Sequence, residues 1–272
     1  GEAASLSGFI VIQKSLTITG IDPVVTDFGK NIRISGTNFY RIDKVQFASG
    51  DSPYFNILTP TLIEAMVPDT AAYGKITVSS ISRAISGQSP MEFVPNPIIY
   101  GFSPISGVYT DTIVITGVGF SGITGVTFNN LPNVSPYTTT FTGFSNNRIA
   151  ALVPSGNTRG SIRLFGKSGV MTTSVTQFLP LARVTGLVPS AAQTGDTISI
   201  LGTNFFASIF YPIGSRFLVT FNDATGTFAL TNDFTLSGEV PTGAKTGPVY
   251  IHTPDISTYP GTGNFRLIYG AP

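Results

Sequence analysis

Residues 34–47 read ISGTNFYRIDKVQF: a glycine, a phenylalanine three places on, then an alternating strand. The same order returns as ITGVGFSGITGVTF at 115–128. A third version, ILGTNFF, starts at 200 and reaches its strand, Val219-Thr220-Phe221, only after an added stretch. Working outward, Gly20-Ile21-Asp22-Pro23, Gly101-Phe102-Ser103-Pro104 and Gly186-Leu187-Val188-Pro189 precede the three versions. Each proline stands thirteen residues before the landmark glycine: 23 to 36, 104 to 117, 189 to 202. Phe39, Phe120 and Phe205 follow those glycines. A Val-Pro pair comes later in each copy (Val67-Pro68, Val153-Pro154, Val240-Pro241), with a glycine six residues beyond its proline at Gly74, Gly160 and Gly247. The chain is one unit written three times, with repeat lengths of 81 and 85 residues.

Between the landmarks the apolar residues alternate. Ile32 and Ile34 recur as Ile113 and Ile115, then as Ile198 and Ile200. Val45 and Phe47 recur as Val126 and Phe128, then Val219 and Phe221. Ile63, Ala65 and Val67 recur as Ile149, Ala151 and Val153, then Leu236, Gly238 and Val240. Ile76 and Val78 recur as Ile162 and Leu164, then Val249 and Ile251. A period of two predicts strands with one buried face, and no segment has a helical period. Six or seven short strands per unit predict a two-sheet sandwich. The landmark glycine is expected to free the backbone at a strand end, as a bend or bulge. The phenylalanine after it has the wrong parity for the same face and is expected to plug the end of the sandwich. Pro68, Pro154 and Pro241 are expected to stop strand pairing.

Composition agrees. The 272 residues suit two or three modest domains. Charged residues make up 11%, under half of the roughly 25% usual share, while Gly (30) and Pro (19) are abundant. The net charge of +1, with no basic run, gives no footprint for nucleic acid. Without cysteine, disulfides, thiolate metal sites and cysteine nucleophiles are excluded. No apolar run reaches the length of a membrane span. The chain opens on Gly1, as a trimmed, processed or partial chain would.

The landmarks resemble the IPT/TIG family of immunoglobulin-like domains, over Pro23 to Val78, Pro104 to Leu164 and Pro189 to Ile251. The family's opening glycine matches Gly107, whereas Gly29 and Gly195 fall six residues after their prolines rather than three. The resemblance implies an all-β chain of three tandem immunoglobulin-like β-sandwiches. Expected boundaries are an N-terminal arm or extra strand at 1–15 and domains at 16–95, 96–180 and 181–272. The linkers 93–101 and 178–186, stiffened by Pro95, Pro97 and Pro180, imply an extended, semi-rigid rod. Such domains occur in bacterial surface proteins, phage virion proteins, receptors and accessory regions of enzymes, so the resemblance carries over no functional residue.

Context decides what each motif can be. Gly117-Val118-Gly119-Phe120-Ser121-Gly122 fits G-x-G-x-x-G, but a strand follows where a dinucleotide site needs a helix. His252 is the sole histidine, and a surface or structural role is expected for it. The fourteen acidic residues are scattered near turns, with no EF-hand loop. A calcium site at a domain junction and a carboxylate pair for glycoside hydrolysis stay open. Asn133-Val134-Ser135 is a lone glycosylation sequon.

Two features break the repeat. The insertion before Val219 contains Phe206, Ile209, Phe210 and Tyr211, candidate contacts for a partner or glycan. The lead segment contains Phe9, Ile10, Val11 and Ile12, a candidate assembly arm that would add to a sheet edge. The expectation is a non-enzymatic structural or attachment protein without cofactor or metal, in a larger or oligomeric assembly with other protein subunits. A virion surface component, such as a phage capsid decoration, head fibre or tail protein, is the first reading. The alternatives are an extracellular bacterial adhesin or carbohydrate-binding module with a surface glycan as partner, and an accessory region of a larger secreted enzyme. The expected location is the virion surface or the extracellular space.

Overall fold

The structure is a computed structural model and describes residues 14–128, 137–205, 216–253 and 256–267. Apart from two single turns of 3-10 helix, Phe120–Gly122 and Lys167–Gly169, its regular elements are all strands. The chain divides into two compact units, Gly1–Asn96 and Pro97–Pro272. Three separate hydrophobic cores form within them, one in the first unit and two in the second.

The first unit contains β1 (Thr17–Asp22), β2 (Val25–Thr26), β3 (Asn31–Thr37), β4 (Lys44–Gln46), β5 (Phe55–Thr59), β6 (Leu62–Met66), β7 (Gly74–Ser80) and β8 (Ile85–Pro95). They make two four-stranded sheets, ordered β1-β3-β6-β5 and β2-β8-β7-β4. The second core lies between β9 (Ile98–Ser103), β10 (Ser106–Gly107), β11 (Thr112–Val118), β12 (Ile123–Phe128), β13 (Tyr137–Thr138), β14 (Phe141–Ser145), β15 (Arg148–Leu152), β16 (Gly160–Gly166) and β17 (Met171–Pro180). Their sheets are β14-β15-β11-β9 and β10-β17-β16-β12-β13. The third core is surrounded by β18 (Arg183–Val188), β19 (Ala191–Ala192), β20 (Thr197–Thr203), β21 (Arg216–Phe221), β22 (Ala224–Asn232), β23 (Thr235–Glu239), β24 (Gly247–Thr253) and β25 (Ile256–Leu267). Here one eight-stranded sheet, β18-β20-β23-β22-β21-β24-β25-β19, encloses the core. The architecture is all-β and sandwich-like.

The alternating residues build the cores. Ile32, Ile34, Val45, Phe47, Ile63 and Ala65 are buried, as are their counterparts in the second and third copies, except that Gly238 replaces an alanine. Strands β7, β16 and β24 each start at the glycine that follows the Val-Pro pair. Strands β6, β15 and β23 each end two residues before its proline, as expected of a residue without an N–H.

The Gly-x-x-Phe landmark is a packing unit. A Cβ on Gly36 would lie 2.1 Å from the Thr17 carbonyl oxygen and 2.4 Å from Cζ of Phe39. On Gly117 the distances are 2.0 Å to the Ile98 oxygen and 2.5 Å to Phe120, and on Gly202 they are 2.3 Å to the Arg183 oxygen and 2.4 Å to Phe205. Each buried phenyl ring therefore lies on the bare face of the glycine three residues before it. The N–H groups of the pair then hold a later hairpin turn. Gly36 and Phe39 donate to the carbonyls of Thr61 and Pro60, at 2.9 and 3.0 Å. Gly117 and Phe120 donate to Asn147 and Asn146, and Gly202 and Phe205 to Phe234 and Asp233, over 2.9–3.1 Å.

This changes the reason for the glycine. None of the three has a positive φ, so the residue is demanded by space rather than by backbone freedom. The expected bulge is present, but its extra residue lies on the facing strand, where pairing shifts at Ile18/Gly20 in β1 and at Val184/Gly186 in β18. The left-handed residue comes two places later: Asn38 (φ 61°), Gly119 (φ 75°) and Asn204 (φ 57°). Asn tolerates that conformation, and its amide is used. Asn38 Nδ2 donates to the Ser15 carbonyl at 2.6 Å, and Asn204 Nδ2 to the Leu181 carbonyl at 3.1 Å. A second correction concerns Gly107. The left-handed equivalent of Gly29 and Gly195 in the second copy is Thr110 (φ 72°), six residues after its proline.

Replacing Gly36 with Ala drives a methyl group into both a carbonyl and a ring, an overpacking expected to cost about 3 kcal/mol. Urea unfolding followed by circular dichroism measures this; a loss below about 0.5 kcal/mol would show that the corner is not close-packed.

Candidate functional site

The third core differs from the others at one hairpin. Strands β21 and β22 pair from Arg216↔Ala229 to Phe221↔Ala224, joined by the two-residue turn Asn222-Asp223. Asn222 takes a left-handed φ of 54°, as the first position of a tight hairpin turn requires. Strand β22 also pairs with β23, so it belongs to both halves of the sheet. In the first two cores the corresponding strands, β5 and β14, pair with one neighbour only.

Membership of both halves forces a fork. The β22–β23 ladder ends at Phe228↔Gly238. Beyond it Thr227 and Gly226 continue with Leu218 and Val219 on β21, while Glu239 continues with Thr197 on β20. Gly238 is required there, since a Cβ on it would fall 2.7 Å from Cγ of the buried Phe228. Gly226 stands where the branches are still close, 3.3 Å from both the Glu239 carbonyl oxygen and Cδ of Pro241 to its own Cβ position.

A groove of about 570 Å³ lies along the fork. Its polar lining is Thr194, Arg216, Thr227, Ser237, Glu239 and Thr242, and the rest is Gly, Ala, Val and Pro. Cross-strand rows place them together: Ser237 opposes Ala229, which opposes Arg216, and Glu239 lies beside Thr227. None of the six side chains makes a hydrogen bond or ion pair with another described residue. The groove thus offers four hydroxyls, one guanidinium and one carboxylate that no other described residue engages. Their charges cancel. Such a surface suits an uncharged ligand rich in hydrogen-bonding groups, because each hydroxyl both donates and accepts.

A second hollow, about 350 Å³, opens on the second core between Phe120, Ile123, Phe141 and Ile149. Its polar rim belongs to the corner, since Ser121 N–H donates to Asn146 Oδ1 at 3.1 Å.

The residues singled out in the sequence fall as follows. Phe206, Ile209, Phe210 and Tyr211 lie outside the described residues, as do Phe9, Ile10, Val11, Ile12 and the sequon at Asn133. The insertion runs in sequence directly into Arg216, the first residue of β21. His252 is half-buried on β24, with Nε2 3.1 Å from Thr220 Oγ1. Gly117 to Gly122 form the phenyl corner and one 3-10 turn, then enter β12, so no helix N-terminus faces a phosphate there. Several aspartates serve turns. Asp111 Oδ2 accepts from Val108 N–H and Asp196 Oδ2 from Gln193 N–H, both at 2.8 Å. Among the described residues no three His, Asp or Glu side chains converge, and no helix is long and apolar enough to cross a membrane.

The groove residues were not singled out in the sequence. One signal was visible: Gly238 stands where the other copies have Ala65 and Ala151. A missing methyl at a core position marks a strand that makes room for something, here Phe228.

No family model and no curated protein matches the chain. Among solved structures, one with a xylogluco-oligosaccharide is 16% identical, covering 93% of this chain and 60% of that one, with a TM-score of 0.42. The surface glycan-binding protein PbSGBP-B from Prevotella bryantii is 16% identical, covering 62% and 42%, at 0.37. The plexin A4 extracellular region is 11% identical, covering 93% and 34%, at 0.29. The chain therefore spans less than two thirds of the length of each, and at these scores the likeness assigns neither family nor function.

Beside the groove, at the β21–β22 turn, Lys245 Nζ donates to Asp223 Oδ2 at 2.9 Å. This bond, followed by the lysine's charge, holds the Asp223 carboxyl below its ordinary range. A depressed carboxyl favours the fold above its unfolded pKa, and that contribution is lost as pH falls through the folded value. A carbon-detected NMR titration is expected to give Asp223 a midpoint below that of a model aspartate, and Lys245→Met to return it to the ordinary value. An ordinary midpoint in the parent protein contradicts the pairing.

Proposed function

We propose that this protein is a non-enzymatic, extracellular glycan-binding protein built of three tandem immunoglobulin-like modules of the IPT/TIG type, close to 16–95, 96–180 and 181–272. Its binding site is the groove at the fork of β22 and β23. The carrying observation is the set of six polar side chains there, none of them engaged by another described residue. A neutral oligosaccharide presents vicinal hydroxyls that both donate and accept. Arg216 and Glu239 can each grip such a pair through two parallel hydrogen bonds, and the threonine and serine hydroxyls supply single ones. Phe210 and Tyr211, shortly before Arg216 in the chain, are the side chains proposed to stack on a sugar face.

The low charge of the whole chain supports the same reading, since an acidic or basic ligand would call for a counter-charged surface. The expectation of a virion component draws no support from the groove. Within this proposal the protein acts by holding its ligand, as an adhesin or nutrient-capturing module does, and takes no cofactor.

The test is calorimetry of the purified chain against neutral oligosaccharides first identified on a glycan array. The parent is expected to bind, and Arg216→Ala and Glu239→Ala to weaken binding at least about tenfold each, or about 1.4 kcal/mol. No binding by the parent to any neutral glycan contradicts the glycan reading. Unchanged affinity in both variants moves the site away from the groove.

A further inference from the structure

The second and third cores belong to one compact unit, and the structure shows what joins them. The turn between β22 and β23 carries Asp233 and Phe234. Asp233 is 5% exposed, and its Oδ2 accepts a hydrogen bond from the Gly156 N–H at 2.6 Å, across 77 residues of sequence. Gly156 follows Val153-Pro154 in the loop between β15 and β16, and its φ of 69° is one that glycine adopts without strain. Phe234 meets Tyr109 of the second core edge-to-face, with ring centroids 6.1 Å apart. Asn157, next to Gly156, is fully buried, so the loop is covered at this point.

We propose that the Asp233–Phe234 turn is a latch that makes the second and third cores one rigid body, from which the groove is presented. Three observations lead there. First, the turn is itself immobilised, because its two carbonyls accept the N–H groups of Phe205 and Gly202. The latch is thus tied to the phenyl corner of the third core. Second, Asp233 is buried where the cores meet, and its carboxylate takes from the other core a charge-assisted hydrogen bond that opening would break. Third, the residue pair is specific to this copy. The equivalent turns read Pro60-Thr61 and Asn146-Asn147, and neither carries an acid or an aromatic ring.

The absence of cysteine makes the test direct. Thr142→Cys on β14 and Thr225→Cys on β22, both exposed, place one spin label on each core of the full chain. Pulsed electron–electron resonance then reads the distribution of distances between them. The labelled parent is expected to give one narrow peak. Asp233→Ala with Phe234→Ser is expected to broaden it at least twofold, with the circular dichroism unchanged. Tyr109→Ser removes the contact from the second core and leaves the turn's own residues unchanged, so broadening in it cannot come from an altered turn sequence. Broadening in Tyr109→Ser, or in the double variant with intact dichroism, supports the latch. A broad distribution in the parent, or a narrow one unchanged in both variants, overturns it.

Discussion

A phenyl ring seated on a glycine is the contact on which the rest of this structure depends. Burial of each ring is worth about 1.5–3 kcal/mol. Its larger consequence is geometric. With the ring in place, two backbone N–H groups face a later hairpin turn and bind its carbonyls. Three distant parts of each repeat meet there: the entering strand, whose carbonyl touches the glycine; the ring; and the turn. A side chain at the glycine would separate all three. The landmark is therefore an element of packing, and its recurrence does not signal reactivity.

Function, on this view, arises where the third copy departs from the template. In the first two copies the strands that correspond to β22, β5 and β14, pair on one side. In the third, a tight Asn222-Asp223 hairpin lets β22 pair with both halves of the sheet, and the fork that results is the groove. The hairpin turn at the far end of β22 carries Asp233 and Phe234 in place of small polar residues or proline. One altered strand thus creates an open surface at one end and a buried contact at the other.

The strands were legible from residues because burial on one face leaves a period of two. Ile32, Ile34, Val126, Phe128, Val249 and Ile251 are all buried as their parity requires. The corner was legible as a position but not as a cause. A glycine needed for space and one needed for positive φ look alike in a sequence, and only the ring distance separates them. Ser89 and Ser174 were passed over altogether. Each is buried at a break in its ladder, where its hydroxyl accepts the N–H of Ile76 or Ile162 and donates to the carbonyl of Met91 or Thr176. A serine that replaces a strand's hydrogen bond has no periodic signature. The groove could not be read because its residues become neighbours only through cross-strand pairing, and Asp233 read as an ordinary turn aspartate because its partner lies 77 residues away.

Native-state hydrogen exchange of the corner amides tests the central claim most directly. If the phenyl corner is a locked element, the N–H groups of Gly36, Phe39, Gly117, Phe120, Gly202 and Phe205 exchange as slowly as those of the core strands, by unfolding of the surrounding core. If they exchange at the rate of exposed loop amides, the ring and turn are not held together, and the corner is not what organises the fold.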